Sequence, residues 1–152
     1  MELYDAMKKI TNAGGILLYT DTDSVVYAHE EGQDPLDHGP FELLGDLKDE
    51  HPDKTINEFL STGPKQYGTK MTDNESGAIE TSLKIRGITL DVKNREHLPY
   101  DTFKETVELL GCVNEKTVDL HYDRFRHRNN FDIHTVAKIK KFRGVCSKVV
   151  IF

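Results

Sequence analysis

The sequence contains no tryptophan, two cysteines and no apolar run close to the length of a membrane-spanning helix. Because a span needs about 18 or more consecutive apolar residues, we expect no membrane segment. Cys112 and Cys146 are too few for a disulfide framework, and we interpret them as reduced thiols. Residues 1–15 lack a basic stretch followed by an apolar one, so no secretory signal is indicated. These absences predict an intracellular protein that is neither secreted nor bound to a membrane.

The 152 residues are enough for one modest domain or two small subdomains, and their charge is distributed unevenly. Residues 1–60 contain 4 basic and 14 acidic side chains, a net charge of −10. Residues 121–152 contain 8 basic and 2 acidic side chains, a net charge of +6. This polarity is typical of a chain with an acidic end for cations and a basic end for an anion. Chance clustering on a solvated surface explains the charge alone equally well.

Apolar spacing and turn-forming residues predict an α+β fold. We expect a short amphipathic helix over residues 2–12 and then a β-hairpin, whose strands 16–19 and 25–27 flank an acidic turn. The other predicted elements are a loop over 29–40, one or two short helices between Leu43 and Leu60, strands over 65–67, 78–84 and 88–92 with a turn at 73–77, a helix over 101–110 with Asp101 as its N-cap, and strands over 118–128 and 140–151. The polar residues 93–100 indicate a domain boundary.

Asp21 and Asp23 lie at the tip of the predicted hairpin. In extended backbone, residues two apart project from the same face, so we expect both carboxylates to reach one point. Crowded oxygen ligands are what Mg²⁺ requires, especially when substrate phosphates share the ion. An Asp-x-Asp pair also occurs in ordinary turns. Its position between two apolar strands favours a metal site, because holding like charges rigidly together is costly unless a cation offsets their repulsion.

Three segments resemble motifs of one family. Residues 19–27, with the core Asp-Thr-Asp-Ser, resemble the third palm motif of family B DNA polymerases. Residues 63–68 resemble the Lys-x-Tyr motif in the form found in protein-primed enzymes of viruses, linear plasmids and large self-synthesising DNA transposons. Residues 83–90 are similar to the Lys-x-Arg-Gly-Ile segment that follows, and residues 41–50 and 142–150 also look like the later palm and thumb. The resemblance implies part of a palm over residues 1–98, an antiparallel sheet backed by helices, and a small thumb over residues 99–152.

The resemblance also implies roles for single residues. Asp23 matches a ligand of the two catalytic Mg²⁺ ions, and Asp21 matches an aspartate near them. The residues that match primer-template contacts are Lys65, Tyr67, Lys84 and Arg86. The implied reaction is template-directed nucleotidyl transfer, in which the metals activate the primer 3′-hydroxyl and neutralise the leaving pyrophosphate. The implied partners are a DNA primer-template, deoxynucleotide triphosphates in the full-length protein and a terminal priming protein.

A second candidate DNA contact lies near the C-terminus, where Arg124, Arg126 and Arg128 alternate with other residues. On a strand they would place three guanidinium groups on one face, as a phosphate-binding stripe of a thumb. A solvated edge strand whose positive charge discourages aggregation explains the same pattern equally well.

The chain also departs from the family pattern. The metal-binding aspartate of an earlier palm strand, the fingers motifs and the exonuclease carboxylates do not appear, and Gln66 and Thr69 stand where relatives commonly have asparagine and an aromatic residue. We therefore expect the isolated chain to be inactive as a polymerase. Two hypotheses stay open: a C-terminal fragment of a protein-primed family B DNA polymerase, and a non-catalytic DNA-binding or interaction module derived from a polymerase gene.

Overall fold

A computed structural model describes residues 2–36, 46–109, 116–129, 132–143 and 150–151. The three helices of the described residues are α1 (Glu2–Asn12), α2 (Val92–His97) and α3 (Tyr100–Glu108). Their strands are β1 (Ile16–Asp21), β2 (Ser24–Ala28), β3 (Lys54–Gly63), β4 (Gln66–Asp73), β5 (Ile79–Lys84), β6 (Thr117–Asn129), β7 (Asp132–Arg143) and β8 (Val150–Ile151). They form three sheets, ordered β1-β2, β5-β4-β3-β8 and β6-β7. The chain is therefore α+β with small antiparallel sheets, as the sequence predicts.

The chain divides into two compact units. Unit 1 comprises Met1–Thr55 with Thr72–Ala78, and unit 2 comprises Ile56–Met71 with Ile79–Phe152. In unit 1, α1 packs on β1 and β2 through buried Ala6 and Ile10. Gly15 permits this close packing, because a Cβ there would lie 2.8 Å from the Ile10 Cγ2 atom. The predicted helix over 2–12 and the predicted hairpin after it are both confirmed.

Unit 2 contains the larger hydrophobic core. Its buried members are Leu60, Ile85, Leu98, Tyr100, Phe103, Val107, Leu120, Tyr122 and Phe142. The Phe103 and Phe142 rings stack with centroids 5.5 Å apart, which joins α3 to β7. This core includes residues on both sides of the predicted boundary between residues 98 and 99, and the two compact units follow a different division of the chain. The division into palm and thumb stays a prediction.

Within unit 2, a buried side-chain amide attaches the long β6-β7 hairpin to α2. Asn94 of α2 is fully buried. Its side-chain amide forms hydrogen bonds with the backbone of β6, as a neighbouring strand would. Its Oδ1 accepts a hydrogen bond from the His121 backbone N–H at 2.9 Å, and its Nδ2 donates to the His121 carbonyl at 3.0 Å. Lys93, on the same helix, forms a 2.5 Å ion pair with Asp123.

The prediction of helices between Leu43 and Leu60 is wrong for the described part of that range. Residues 46–53 form neither helix nor strand, and β3 begins at Lys54. The spacing of Ile56, Phe59 and Leu60 fits a helical period, but Phe59 to Thr62 are all buried, as in a strand covered on both faces. Pairing with the neighbouring strands β4 and β8 decides the conformation.

Three smaller expectations are also wrong. Residues 88–92 form no strand: an isolated bridge joins Ile85 to Ile88, and Val92 begins α2. Helix α3 begins at Tyr100 with Pro99 as N-cap, so Asp101 lies in the first turn and is not the cap. Lys65 is not extended, because it occupies the turn between β3 and β4.

The predicted turn at 73–77 is confirmed, with Gly77 at a φ of 69°. The described part of the predicted loop over 29–40 contains neither helix nor strand. The strand predicted over 118–128 lies within β6; of the range 140–151, residues 140–143 belong to β7 and 150–151 form β8. Residues 37–45, the helix end near Gly111, Cys112 and Cys146 lie outside the described residues. No helix in the described part of the chain is both long and apolar enough to cross a membrane.

Candidate metal and nucleic-acid site

The hairpin that carries the two aspartates turns through Thr22 and Asp23 alone. Asp21 pairs with Ser24 across the turn, and the Asp23 N–H donates to the Asp21 carbonyl at 2.6 Å. Two side chains brace the turn: the Ser24 hydroxyl donates to the Asp21 carbonyl at 3.0 Å, and the Thr22 hydroxyl donates to Asp21 Oδ1 at 3.1 Å. Thr22 has a φ of 55°, a left-handed value that β-branched residues rarely adopt.

This geometry corrects the argument that placed both carboxylates on one strand face. Asp21 ends β1 and is half-buried, whereas Asp23 is an exposed turn residue. The two aspartates are thus neighbours across a tight turn and do not alternate along one strand. In the described part of the chain, no group of three or more His, Cys, Asp and Glu side chains is arranged to hold a metal ion. Asp21 and Asp23 carry carboxylate oxygens, the type of ligand that Mg²⁺ prefers.

The second strand of this hairpin, β2, carries a tyrosine in a polar cluster. The Tyr27 hydroxyl donates to Asp34 Oδ1 at 2.7 Å, and the His29 Nε2 atom lies 3.9 Å from Asp34 Oδ2. Burial raises the pKa of Tyr27, and the hydrogen bond to Asp34 raises it further. No sequence pattern indicates this cluster, because Asp34 lies seven residues after Tyr27 in an irregular loop. The hydrogen bond between Tyr27 and Asp34 fastens this loop to β2.

In unit 2, two motifs that are separate in the sequence meet on adjacent strands. Tyr67 lies on β4 and Lys84 ends β5. The Lys84 Nζ atom lies 5.4 Å from the centroid of the Tyr67 ring, a cation–π arrangement. Tyr67 also stacks on buried Phe59 of β3, with centroids 5.6 Å apart. The tyrosine is therefore held by an aromatic neighbour and lies next to a positive charge.

Two further cationic residues, Arg86 and Lys140, lie at the turn that follows β5. Arg86 is exposed in the turn after β5, next to Gly87, whose φ is 72°. The Lys140 Nζ atom of β7 donates to the Gly87 carbonyl and lies 5.5 Å from the centroid of the Tyr122 ring. Burial raises the pKa of Tyr122, whose hydroxyl donates to the Thr89 carbonyl at 2.8 Å.

We call Tyr67, Lys84, Arg86, Tyr122 and Lys140 the basic-aromatic cluster. DNA contacts for Tyr67, Lys84 and Arg86 are implied by the resemblance and stay a prediction. Nothing local in the sequence signals that Tyr122 and Lys140 contact residues 87–89, because this proximity depends on how the β6-β7 hairpin packs. Lys65, also implied to contact DNA, is not a member of this cluster. It is exposed at the β3-β4 turn with a φ of 59°.

The structure alters the interpretation of the arginine stripe. Tyr122 pairs with Lys138 and Phe125 pairs with Val136, so β6 contains one extra residue between these pairs. Such a bulge interrupts strand alternation at Arg124. Arg126 and Arg128 follow in regular register, opposite Thr135 and Ile133. The alternation that the predicted stripe requires therefore does not extend through Arg124, which is exposed.

Comparison with known proteins gives no match: no protein-family model, no curated protein and no solved structure matches this chain.

Proposed function

We propose that this chain is the C-terminal palm and thumb portion of a protein-primed family B DNA polymerase. In this proposal the Asp21-Asp23 hairpin contributes carboxylates to a Mg²⁺ site, and the basic-aromatic cluster of unit 2 holds the primer-template. The observation that carries the proposal is the contact between Lys84 and Tyr67. These residues belong to two different polymerase-like motifs, and a cation next to a held aromatic ring is an arrangement suited to nucleic acid.

The chemistry of the cluster fits a phosphate backbone and the bases beside it. Lys84 offers a mobile point charge to a phosphate, and Tyr67 offers a flat face for stacking. Arg86 would extend the phosphate contact along the turn after β5. These contacts would position DNA without reading its sequence, as a replicative enzyme requires.

The hairpin supplies the second part of the proposal. Asp21 and Asp23 would hold Mg²⁺, which when bound lowers the pKa of the attacking hydroxyl and neutralises the leaving pyrophosphate. The Thr22 hydroxyl, which donates to Asp21 Oδ1, and the tight turn would keep the two carboxylates oriented. Two aspartates are an incomplete ligand set, so substrate phosphates and further palm residues would complete it.

DNA affinity tests the cluster. Fluorescence anisotropy with a labelled primer-template should show weaker binding for Tyr67→Ala, by about 5-fold to 150-fold, because stacking on one base contributes about 1–3 kcal/mol. Lys84→Gln should lower the slope of log affinity against log salt by about 0.9, the value for one lost phosphate contact. Lys48→Gln, an exposed lysine of unit 1, is the matched control for loss of one charge. Equal affinities for all three variants and the parent chain would refute the cluster's role.

A paramagnetic probe separates the polymerase proposal from a non-catalytic DNA-binding module. Under the polymerase proposal, Mn²⁺ used in place of Mg²⁺ broadens the backbone NMR signals of residues 20–24, and Asp23→Asn reduces the broadening. A module kept for DNA binding alone predicts no selective broadening there. Primer extension with Mg²⁺ and all four nucleotides is expected to give no product from the isolated chain. Incorporation that Asp23→Ala abolishes would contradict the inference that the site is incomplete.

A further inference from the structure

Unit 2 contains a second feature suited to an anion, a cavity of about 160 Å³ between β5 and the junction of α2 with α3. Its polar lining comes from Thr81 and Ser82 of β5 and from Arg95 of α2, and it ends at Pro99 and Tyr100. Among the described residues that line the cavity, none is acidic and Arg95 alone is charged. These lining side chains therefore carry a single positive charge.

Arg95 is held in place at this wall. Its Nε atom donates a hydrogen bond to the Leu90 carbonyl at 3.3 Å. This bond uses one of the five N–H donors of the guanidinium group. An anchored guanidinium loses less conformational freedom when it binds an anion than a long side chain that moves freely in solvent.

The start of α3 adds donors at the same cavity. The N-cap residue Pro99 makes no side-chain hydrogen bond to the helix, so the first N–H groups of α3 are not capped by it. Tyr100 itself is 6% exposed, and its buried hydroxyl has no hydrogen-bond partner among the described residues. Two carboxylates act on it: Glu58, which forms a 2.6 Å ion pair with Lys104, and Asp101 in the first turn of α3. Burial raises the pKa of Tyr100, and the charges of Glu58 and Asp101 raise it further.

The size and position of the cavity define its ligand. It is smaller than the roughly 300–1,000 Å³ of pockets that enclose drug-sized molecules, so it suits a single phosphate group and not a whole nucleotide. Ser82 lies two residues before Lys84 on β5, on the same strand face. We propose that this cavity binds one phosphate group of a nucleic-acid backbone whose adjoining part contacts the basic-aromatic cluster. The inference rests on the proposed function for the identity of that ligand.

The experiment uses the full chain and two probes, inorganic phosphate and the labelled primer-template. Phosphate should shift the NMR signals of the Tyr100 and Asp101 amides and of Arg95 Nε, and Arg95→Gln should remove these shifts. In the anisotropy assay, Arg95→Gln should lower the salt slope by about 0.9. The control is Lys93→Gln, which removes one charge from the same helix but not from the cavity. Ser82→Asp, at an exposed strand position that leaves the Arg95 anchor intact, should weaken DNA binding by charge repulsion.

The outcomes separate this inference from the proposed function. If phosphate shifts the cavity signals but Arg95→Gln and Ser82→Asp bind DNA like Lys93→Gln, the cavity takes free phosphate and the nucleic-acid source is refuted. If phosphate shifts nothing at the cavity, the site itself is refuted. In both cases the effects of Tyr67→Ala and Lys84→Gln on DNA affinity decide the proposed function independently.

Discussion

Replacing Thr22 with glycine is expected to stabilise the protein. Thr22 has a φ of 55°, and a left-handed conformation costs an L-residue about 1–2 kcal/mol, with β-branched side chains the least tolerant. Glycine adopts this φ freely but brings an entropic cost of about 0.5–1 kcal/mol, because it increases the freedom of the unfolded chain. The difference spans about 0–1.5 kcal/mol, and its midpoint predicts that Thr22→Gly raises the free energy of unfolding by about 0.75 kcal/mol.

Urea denaturation followed by circular dichroism measures this change as a higher midpoint at an unchanged slope. Thr22→Val is the matched control, because it keeps the β-branched strain and removes only the exposed hydroxyl that donates to Asp21. We expect Thr22→Val to change stability by less than about 0.5 kcal/mol. The reasoning is refuted if Thr22→Gly is no more stable than the parent chain, since the left-handed turn would then cost nothing.

Two further predictions concern the attachment of β6 to α2. Asn94→Ala leaves the His121 N–H and carbonyl without their amide partner, so it should lower the free energy of unfolding by about 2–4 kcal/mol in urea denaturation. The control is Asn12→Ala, at the exposed end of α1. If Asn94→Ala lowers stability no more than this control does, Asn94 does not connect α2 to β6. The hydrogen bond and charge of Lys93 lower the pKa of Asp123. The pair's contribution to stability is therefore complete above the usual aspartate pKa of 3.8 and is lost as pH falls through the lowered value. Asp123→Asn should flatten the acid side of the stability–pH curve; a curve parallel to that of the parent chain below pH ~4 would exclude this linkage.

The elements that the sequence predicts well are those fixed by local chemistry. Acidic and hydroxyl residues between two β-branched runs dictate the hairpin around Thr22, and the residues at 73–77 dictate their turn. In the 73–77 turn, the Asp73 carboxylate accepts hydrogen bonds from the Ser76 N–H and hydroxyl, both at 2.7 Å. These bonds join residues three positions apart, so the sequence alone indicates them.

The elements that escape prediction depend on pairing between distant segments. Ile56, Phe59 and Leu60 satisfy a helical period as well as a strand, and only the neighbours β4 and β8 select the strand. The contact between Lys84 and Tyr67 requires the pairing of β4 with β5, which no motif specifies. The bulge before Phe125 is equally invisible, since nothing in an alternating run of arginines shows where one extra residue interrupts the ladder.

The aspartate hairpin and the Lys-x-Tyr motif, the two parts of the proposed function, each contain a strained backbone position. Among the described residues, the non-glycine residues with positive φ are Thr22 and Lys65. One lies between the two aspartates and the other begins the Lys-x-Tyr motif, and they belong to different compact units. Glycine would form either turn at lower conformational cost, so each side chain is present at some expense to stability. Strained positions tend to occur where a fold gives up stability for activity. Two separate turns that share this property, each inside a polymerase-like motif, favour a functional role for both tips over chance turn chemistry.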